Sequence, residues 1–211
     1  MVRSKIKITG VKARFYDLLV NLATGFKYGK LVKDTAAKMN ITEGVSLIDL
    51  GGGTGKNAKL FARSAGNSGR IVLVDIGKTM LKKAGRRLKK YKNSEVVQAD
   101  ILKPLKLNGF DMVFIGFIMH GLEIQERSAL MKNVSKLLKR GGHLFILDYN
   151  QFDMKKLNPI AGYLFNHFEC ELATEFIKWD MERFLRSYKL GKFEKWYWHD
   201  KKIRLLRAEK L

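Results

Sequence analysis

The chain has 211 residues, 46% hydrophobic and 29% charged, which suits one soluble globular domain with a core of ordinary size. A single cysteine, Cys170, excludes an intramolecular disulfide, points to a reducing compartment and reads as a packed residue. Lys and Arg number 41 against 20 Asp and Glu, a net charge of +21; the excess favours RNA, anionic lipid or acidic partners by long-range attraction, and equally suits a Lys-rich surface kept for solubility.

The N-terminus, Met1-Val2-Arg3-Ser4-Lys5, lacks the apolar core of a signal peptide. The longest apolar stretch, residues 110–122, is interrupted by Asp111 and His120 and falls short of the ~20 residues a membrane span needs. The expected location is the cytoplasm, with a peripheral place on a membrane surface left open.

Residues 1–12 read as a short basic arm. Phe15, Leu18, Leu19 and Leu22 recur at helical spacing, and Gly25 stops that helix. A second helix is expected over residues 30–39, with Leu31, Val32, Ala36 and Met39 inward. Both precede the first core strand and form an N-terminal helical cap, residues 1–44. The first strand is Ser46 to Leu50, followed by Gly51-Gly52-Gly53-Thr54-Gly55 and a helix from Lys56 to Ser64.

Ile71-Val72-Leu73-Val74 ends at Asp75, and four such residues in a row suit a strand buried on both faces. A helix over residues 78–90 carries Lys82, Lys83, Arg86, Arg87, Lys89 and Lys90 on its outer face. Strands follow at 95–99 (ending at Asp100), 112–117 and 143–147 (ending at Asp148-Tyr149). Between the last two lies an amphipathic helix over 123–138, which Gly141-Gly142 close. Strands and helices alternating in this way predict a doubly wound α/β fold with right-handed crossovers. The whole chain, 1–211, reads as one domain. It divides into the cap, a ligand-binding core at 45–150, a substrate-side insertion at 151–171 rich in aromatics, and a final segment at 172–211. That segment is expected to be one long helix over 172–188 and a β-hairpin.

A strand that ends in a Gly-rich turn and feeds a helix is a ligand-binding device, because glycine lets a ligand approach backbone and the helix offers unpaired N–H groups. A phosphate-binding P-loop fails here twice: Lys56 is followed by Asn57, and the required first glycine falls on Leu50. A dinucleotide fingerprint fails too, because its third glycine would fall on Lys56. The actual pattern is Asp49-Leu50-Gly51-Gly52-Gly53-Thr54-Gly55. Four predicted strands carry an acid at or near their C-terminal ends (Asp49, Asp75, Asp100 and Asp148), where ligands bind in open α/β sheets.

This pattern resembles motif I of the class I S-adenosylmethionine-dependent methyltransferases, and the closing hairpin resembles that family's ending. The resemblance implies a Rossmann-like seven-stranded sheet in the order 3-2-1-4-5-7-6, the methyl donor S-adenosyl-L-methionine and the product S-adenosyl-L-homocysteine. By the same resemblance Asp49 lies near the methionyl amine, Asp75 accepts from the ribose hydroxyls and Asp100 accepts from the adenine amine. Ile76, Met80 and Ile101 would wall the adenine. Gly51, Gly53, Thr54, Gly55 and Gly116 would complete the cofactor site. Phe15-Tyr16-Asp17 and the Gly-Gly-Thr-Gly loop look like the ubiquinone/menaquinone-biosynthesis methyltransferase subfamily, which would set Tyr16 over the cofactor.

Methyl transfer is an in-line displacement at an electrophilic sulfonium carbon, so positioning and, for some nucleophiles, proton removal are the protein's tasks. His120, just past the fourth strand, is the candidate base. Asp148, Tyr149 and Tyr163 are candidate substrate contacts, and no metal site is expected. Gly116-Phe117-Ile118-Met119 stands where amino-group methyltransferases carry Asn/Asp-Pro-Pro-Tyr/Phe, and no Pro-Cys for cytosine-5 methylation follows that strand. The quinone subfamily has a Gly-Leu-Arg-Asn-like stretch where this chain has His120-Gly121-Leu122-Glu123. The expected acceptor is a small or lipid-like molecule. The alternatives are RNA, reached through the basic surface, and cofactor binding without catalysis.

Overall fold

The computed structural model describes residues 28–153 and 171–211. The expectations for the basic arm and first cap helix, for Tyr16, for Tyr163 and most of the aromatic insertion, and for Cys170 lie outside the described residues. Helix α1 spans Tyr28–Met39 and buries Leu31, Val32, Thr35 and Met39. The core then runs β1 (Ser46–Leu50), α2 (Lys56–Ser64), β2 (Arg70–Asp75), α3 (Lys78–Leu88), β3 (Ser94–Gln98) and β4 (Phe110–Gly116). After β4 come a 3-10 turn at Met119–Gly121, α4 (Ile124–Leu137) and β5 (Leu138–Tyr149). The chain ends with α5 (Glu171–Phe176), α6 (Met181–Arg186), β6 (Leu190–Trp198) and β7 (Ile203–Lys210).

The seven strands form one sheet in the order β3-β2-β1-β4-β5-β7-β6. The first five are parallel, and β7 pairs antiparallel with both β5 and β6. Alternation along each strand explains why both faces are apolar. Leu47, Leu73, Phe114, Phe145 and Leu205 face one way and meet Phe61 and Ala62 of α2 and Ala84 and Leu88 of α3. Ile48, Leu50, Val74, Val113, Ile115 and Ile146 face the other way and meet Leu130, Met131 and Val134 of α4. Each such buried aliphatic side chain contributes roughly 1.5–3 kcal/mol, so this two-sided core dominates the fold's stability. The outer strand β6 exposes Lys192, Glu194 and Lys195, charges that discourage edge-to-edge pairing.

Two expectations are corrected. Residues 172–188 are two short helices, not one. The apolar spacing continues across the gap, but the Asp180 side chain accepts from the Arg183 backbone N–H at 3.0 Å and caps a new helix at Met181. The pair Gly141-Gly142 does not close α4. The helix ends at Leu137, Leu138 is already extended, and the glycines lie inside β5. Phe110 pairs Leu138 while Met112 pairs His143, so β5 bulges over 139–142, with Gly141 at φ 74°. There Lys139 pairs with Asp111 at 2.6 Å, and Asp111 also accepts from the Ser46 hydroxyl and backbone N–H. This knot ties the sheet together at the N-terminal end of β1.

Candidate functional site

The C-terminal ends of β1, β2 and β4 sit side by side, and the Gly-rich loop crosses them. Its start is pinned to the sheet, since Gly51 and Gly52 both donate N–H to the Val74 carbonyl, at 2.8 and 3.2 Å. Gly55 opens α2 at φ 76°, where a Cβ would lie 3.2 Å from the Cα of Ala84 in α3. Only glycine combines that backbone with so close a helix approach. Arg87, on the same α3, donates from Nη1 to Thr54 Oγ1 at 2.7 Å and to the Thr54 carbonyl at 2.5 Å. It therefore does not belong wholly to the outer basic face expected of it. It staples the loop, and Thr54 is buried beneath it.

Asp75 closes β2 and takes two backbone donors, Gly53 N–H at 2.9 Å and Gly77 N–H at 2.7 Å. One carboxylate thus joins the Gly-rich loop to the turn before α3. Asp49 lies beneath the loop and is 1% exposed. Its Oδ2 sits 2.8 Å from where a Cβ on Gly52 would be and has no hydrogen-bond partner. Burial, and then the negative charge of Asp75, push the Asp49 carboxyl up to about 8. A buried acid in that state is matched by a positive group brought by a ligand.

Beyond β3, Asp100 Oδ1 accepts from Leu102 N–H at 3.0 Å, which turns the chain so that Ile101 is buried. Asn133 of α4 holds this turn through the carbonyls of Ile101 and Lys103, each at 2.7 Å. Met80 is buried and Ile76 half-buried at the start of the α3 segment. Gly116 ends β4 against the Phe114 ring and Asn57. Phe117 follows at φ 54°, unusual for an aromatic residue. The turn sends Ile118 back over the loop, where its Cδ1 lies 2.7 Å from the Cβ position of Gly51, with Ile101 Cδ1 at 3.9 Å. Ile118, Arg87 and Asn133 had no signal in a single sequence. An inward arginine inside a basic run looks like its neighbours, and Ile118 reads as core.

The second half of the site is a pair that the sequence showed only as separate residues. His120 Nδ1 lies 2.7 Å from Asp148 Oδ1, and the His120 backbone N–H donates to Asp148 Oδ2 at 3.2 Å. Adjacency of β4 and β5 brings these residues together across 28 positions. Tyr149 stands edge-on to His120 at 5.0 Å between ring centroids, Phe176 lies at 6.5 Å, and Phe117 lies 6.2 Å from Tyr149. Fully buried Arg127 donates from Nε to the Met119 carbonyl at 3.2 Å and stacks beneath Phe176 and Trp179, so the turn bearing His120 is braced from below. Among the described residues the two halves therefore bring together all the site candidates of the core: Asp49, the glycine loop, Asp75, Ile76, Met80, Asp100, Ile101 and Gly116 on one side, His120, Asp148 and Tyr149 on the other. No cluster of potential metal ligands occurs among the described residues.

Comparisons with known proteins identify the family. A profile of the ubiE/COQ5 methyltransferase family matches residues 7–172. The ubiquinone/menaquinone biosynthesis C-methyltransferase UbiE of Hahella chejuensis is 31% identical over 160 residues, 74% of this chain and 62% of that protein. Its namesake from Pseudomonas putida is 34% identical over 164 residues, 71% of this chain and 63% of that one. The chain thus spans a little over three fifths of these relatives' length. Among solved structures, a SAM dependent methyltransferase from Aquifex aeolicus superposes with a TM-score of 0.62 at 18% identity, over 85% of this chain and 89% of that one. That likeness is one of fold.

Proposed function

The chain belongs to the ubiE/COQ5 methyltransferase family, and on that footing we propose that it transfers a methyl group from S-adenosylmethionine to a small, lipid-like acceptor. The observation that carries this is the Asp49 carboxyl, fully buried beneath the Gly-rich loop with an orphaned oxygen. A phosphate would offer that oxygen no N–H donor and would disfavour its ionisation, whereas a ligand with an ammonium group supplies both a donor and the positive charge that lets the carboxyl give up its proton. Asp49 would take the amino-acid end and Gly51 and Gly53 would let it approach the backbone. Asp75 would accept from the ribose hydroxyls. Asp100, Ile76, Met80 and Ile101 would hold the base, and Thr54 and Gly55 fix the loop. When bound, the cofactor supplies an electrophilic methyl carbon. The protein's own residues orient the two partners and exclude water, for which the Ile118 side chain over Gly51 is well placed.

The relatives are C-methyltransferases of ubiquinone/menaquinone biosynthesis, which suggests a quinone precursor as the acceptor. The aromatic wall of Phe117, Tyr149 and Phe176 suits a flat ring of that kind. The test is transfer of labelled methyl from S-adenosylmethionine to an alkyl-substituted benzohydroquinone. Product that depends on the intact Gly-rich loop is expected, and transfer to bulk RNA in its place would contradict the lipid-like reading.

The charge distribution favours a membrane as the place where such an acceptor is met. Between Leu50 and Ser94 the chain has twelve lysines and arginines and one acid, Asp75. Lys59, Lys82, Arg86, Lys89 and Lys90 are exposed on α2 and along or just beyond α3, beside an open depression of about 440 Å³ lined by Lys59, Lys83, Arg86 and Arg87. This face is a broad patch over α2 and α3, the form an anionic membrane surface would meet. No helix among the described residues is long and apolar enough to cross a membrane, so contact would be electrostatic and peripheral, at about 1 kcal/mol per basic residue near an anionic surface.

A further inference from the structure

We infer that His120 and Asp148 form a general-base dyad in which His120 removes the proton of the acceptor's hydroxyl and Asp148 sets its tautomer. This rests on the methyl-transfer reading above. Asp148 is 1% exposed and accepts three hydrogen bonds: the His120 backbone N–H at 3.2 Å, the Tyr149 N–H at 2.8 Å and His120 Nδ1 at 2.7 Å. Two of these donors are backbone groups of fixed direction, so the carboxylate is held as an acceptor. A ring nitrogen facing an acceptor must carry the proton. His120 is thereby set as the Nδ1–H tautomer, with its basic lone pair on Nε2. Buried Arg204 adds positive charge behind Asp148.

Burial is graded along the dyad. The Asp148 side chain is sealed, while that of His120 is 15% exposed, between Tyr149 and Phe176. His120 lies two residues past Ile118, whose side chain rests on Gly51, so the dyad is carried by the turn that crosses the Gly-rich loop. In the step, the acceptor's O–H proton moves to Nε2 and its bonding pair stays on the acceptor oxygen. The anion so formed is nucleophilic at oxygen or at the ring carbon beside it. The imidazolium so formed faces the Asp148 carboxylate at 2.7 Å. Asp148 is thus a positioning residue rather than the substrate contact expected of it.

The test begins with nitrogen NMR of the isotope-labelled, cofactor-free protein. The expected result is that His120 is the Nδ1–H tautomer in the wild type and loses that preference in Asp148→Asn. An Nε2–H tautomer in the wild type overturns the dyad. With the benzohydroquinone probe, His120→Asn and Asp148→Asn should each lower turnover by about 100-fold or more, with S-adenosylmethionine affinity unchanged. Undiminished turnover in His120→Asn also overturns it. Failure of the wild type to bind S-adenosylmethionine would instead defeat the methyltransferase reading, and the tautomer measurement separates the two failures.

Discussion

Asp49→Asn isolates the electrostatics beneath the Gly-rich loop. Asp49 is fully buried, one of its oxygens lacks a partner, and its carboxyl is raised from 3.8 to about 8 by burial first and Asp75 second. The native state therefore holds a proton that the unfolded chain releases over this range. The stability linked to that proton is fully present below about pH 4, and is lost progressively as the pH rises to about 8. At about 1.4 kcal/mol per pKa unit, the loss across the window is on the order of 5 kcal/mol. Asparagine keeps the shape and cannot ionise. Urea unfolding of the ligand-free protein between about pH 5 and pH 9 should show the two proteins converging at the acid end and the variant more stable by several kcal/mol at the alkaline end. Calorimetry near pH 6.5, in two buffers of different ionisation enthalpy, should detect up to about one proton released as S-adenosylmethionine binds the wild type, and none with the variant. Parallel pH profiles for the two proteins would refute the reasoning, because the carboxyl would then not be desolvated in the folded state.

Gly55→Ala should lower stability by about 2–3 kcal/mol, from the left-handed backbone and the crowding against Ala84, which thermal unfolding would register as a fall of about 5–10 °C; an unchanged midpoint would mean that α2 and α3 separate at no cost. Arg87→Leu should cost about 2 kcal/mol and weaken S-adenosylmethionine binding several-fold, since Thr54 loses its two bonds from the guanidinium. Calorimetry beside a thermal melt checks this, and normal values in both would show the staple to be dispensable. Changing Lys82, Arg86, Lys89 and Lys90 together to glutamine should lower binding to phosphatidylglycerol vesicles by about 100-fold or more and leave cofactor affinity intact. Unaltered sedimentation with vesicles would remove the membrane from the account.

The parts of this molecule that the sequence made legible are those set by local pattern. Runs such as Ile71-Val72-Leu73-Val74 can be satisfied only by a strand covered on both faces, and β1, β2, β4 and the closing hairpin lie within a residue or two of their expected places. The acids at strand ends were equally plain, because position in an α/β unit is itself the signal. What escaped depends on contacts between distant residues. His120 and Asp148 were each visible, but their pairing needs β5 beside β4 in register. Arg87 was hidden by charge, since a run of bases does not say which one turns inward to Thr54. The break at Asp180 was hidden by hydrophobic spacing, which carries on through Trp179 and Phe184 although a capping aspartate stands between them. Gly141-Gly142 has the composition of a helix stop and serves as a strand bulge, because Leu138 already pairs with Phe110.

The central claim is that the strand ends around the Gly-rich loop hold S-adenosylmethionine, with Asp75 accepting from its ribose. Calorimetric titration of the intact chain and of Asp75→Ala with S-adenosylmethionine and S-adenosylhomocysteine tests it directly. The account predicts binding of both ligands by the wild type and a loss of about 100-fold in the variant, the worth of two hydrogen bonds to a charged acceptor. No binding by the wild type, or undiminished binding by Asp75→Ala, would contradict it.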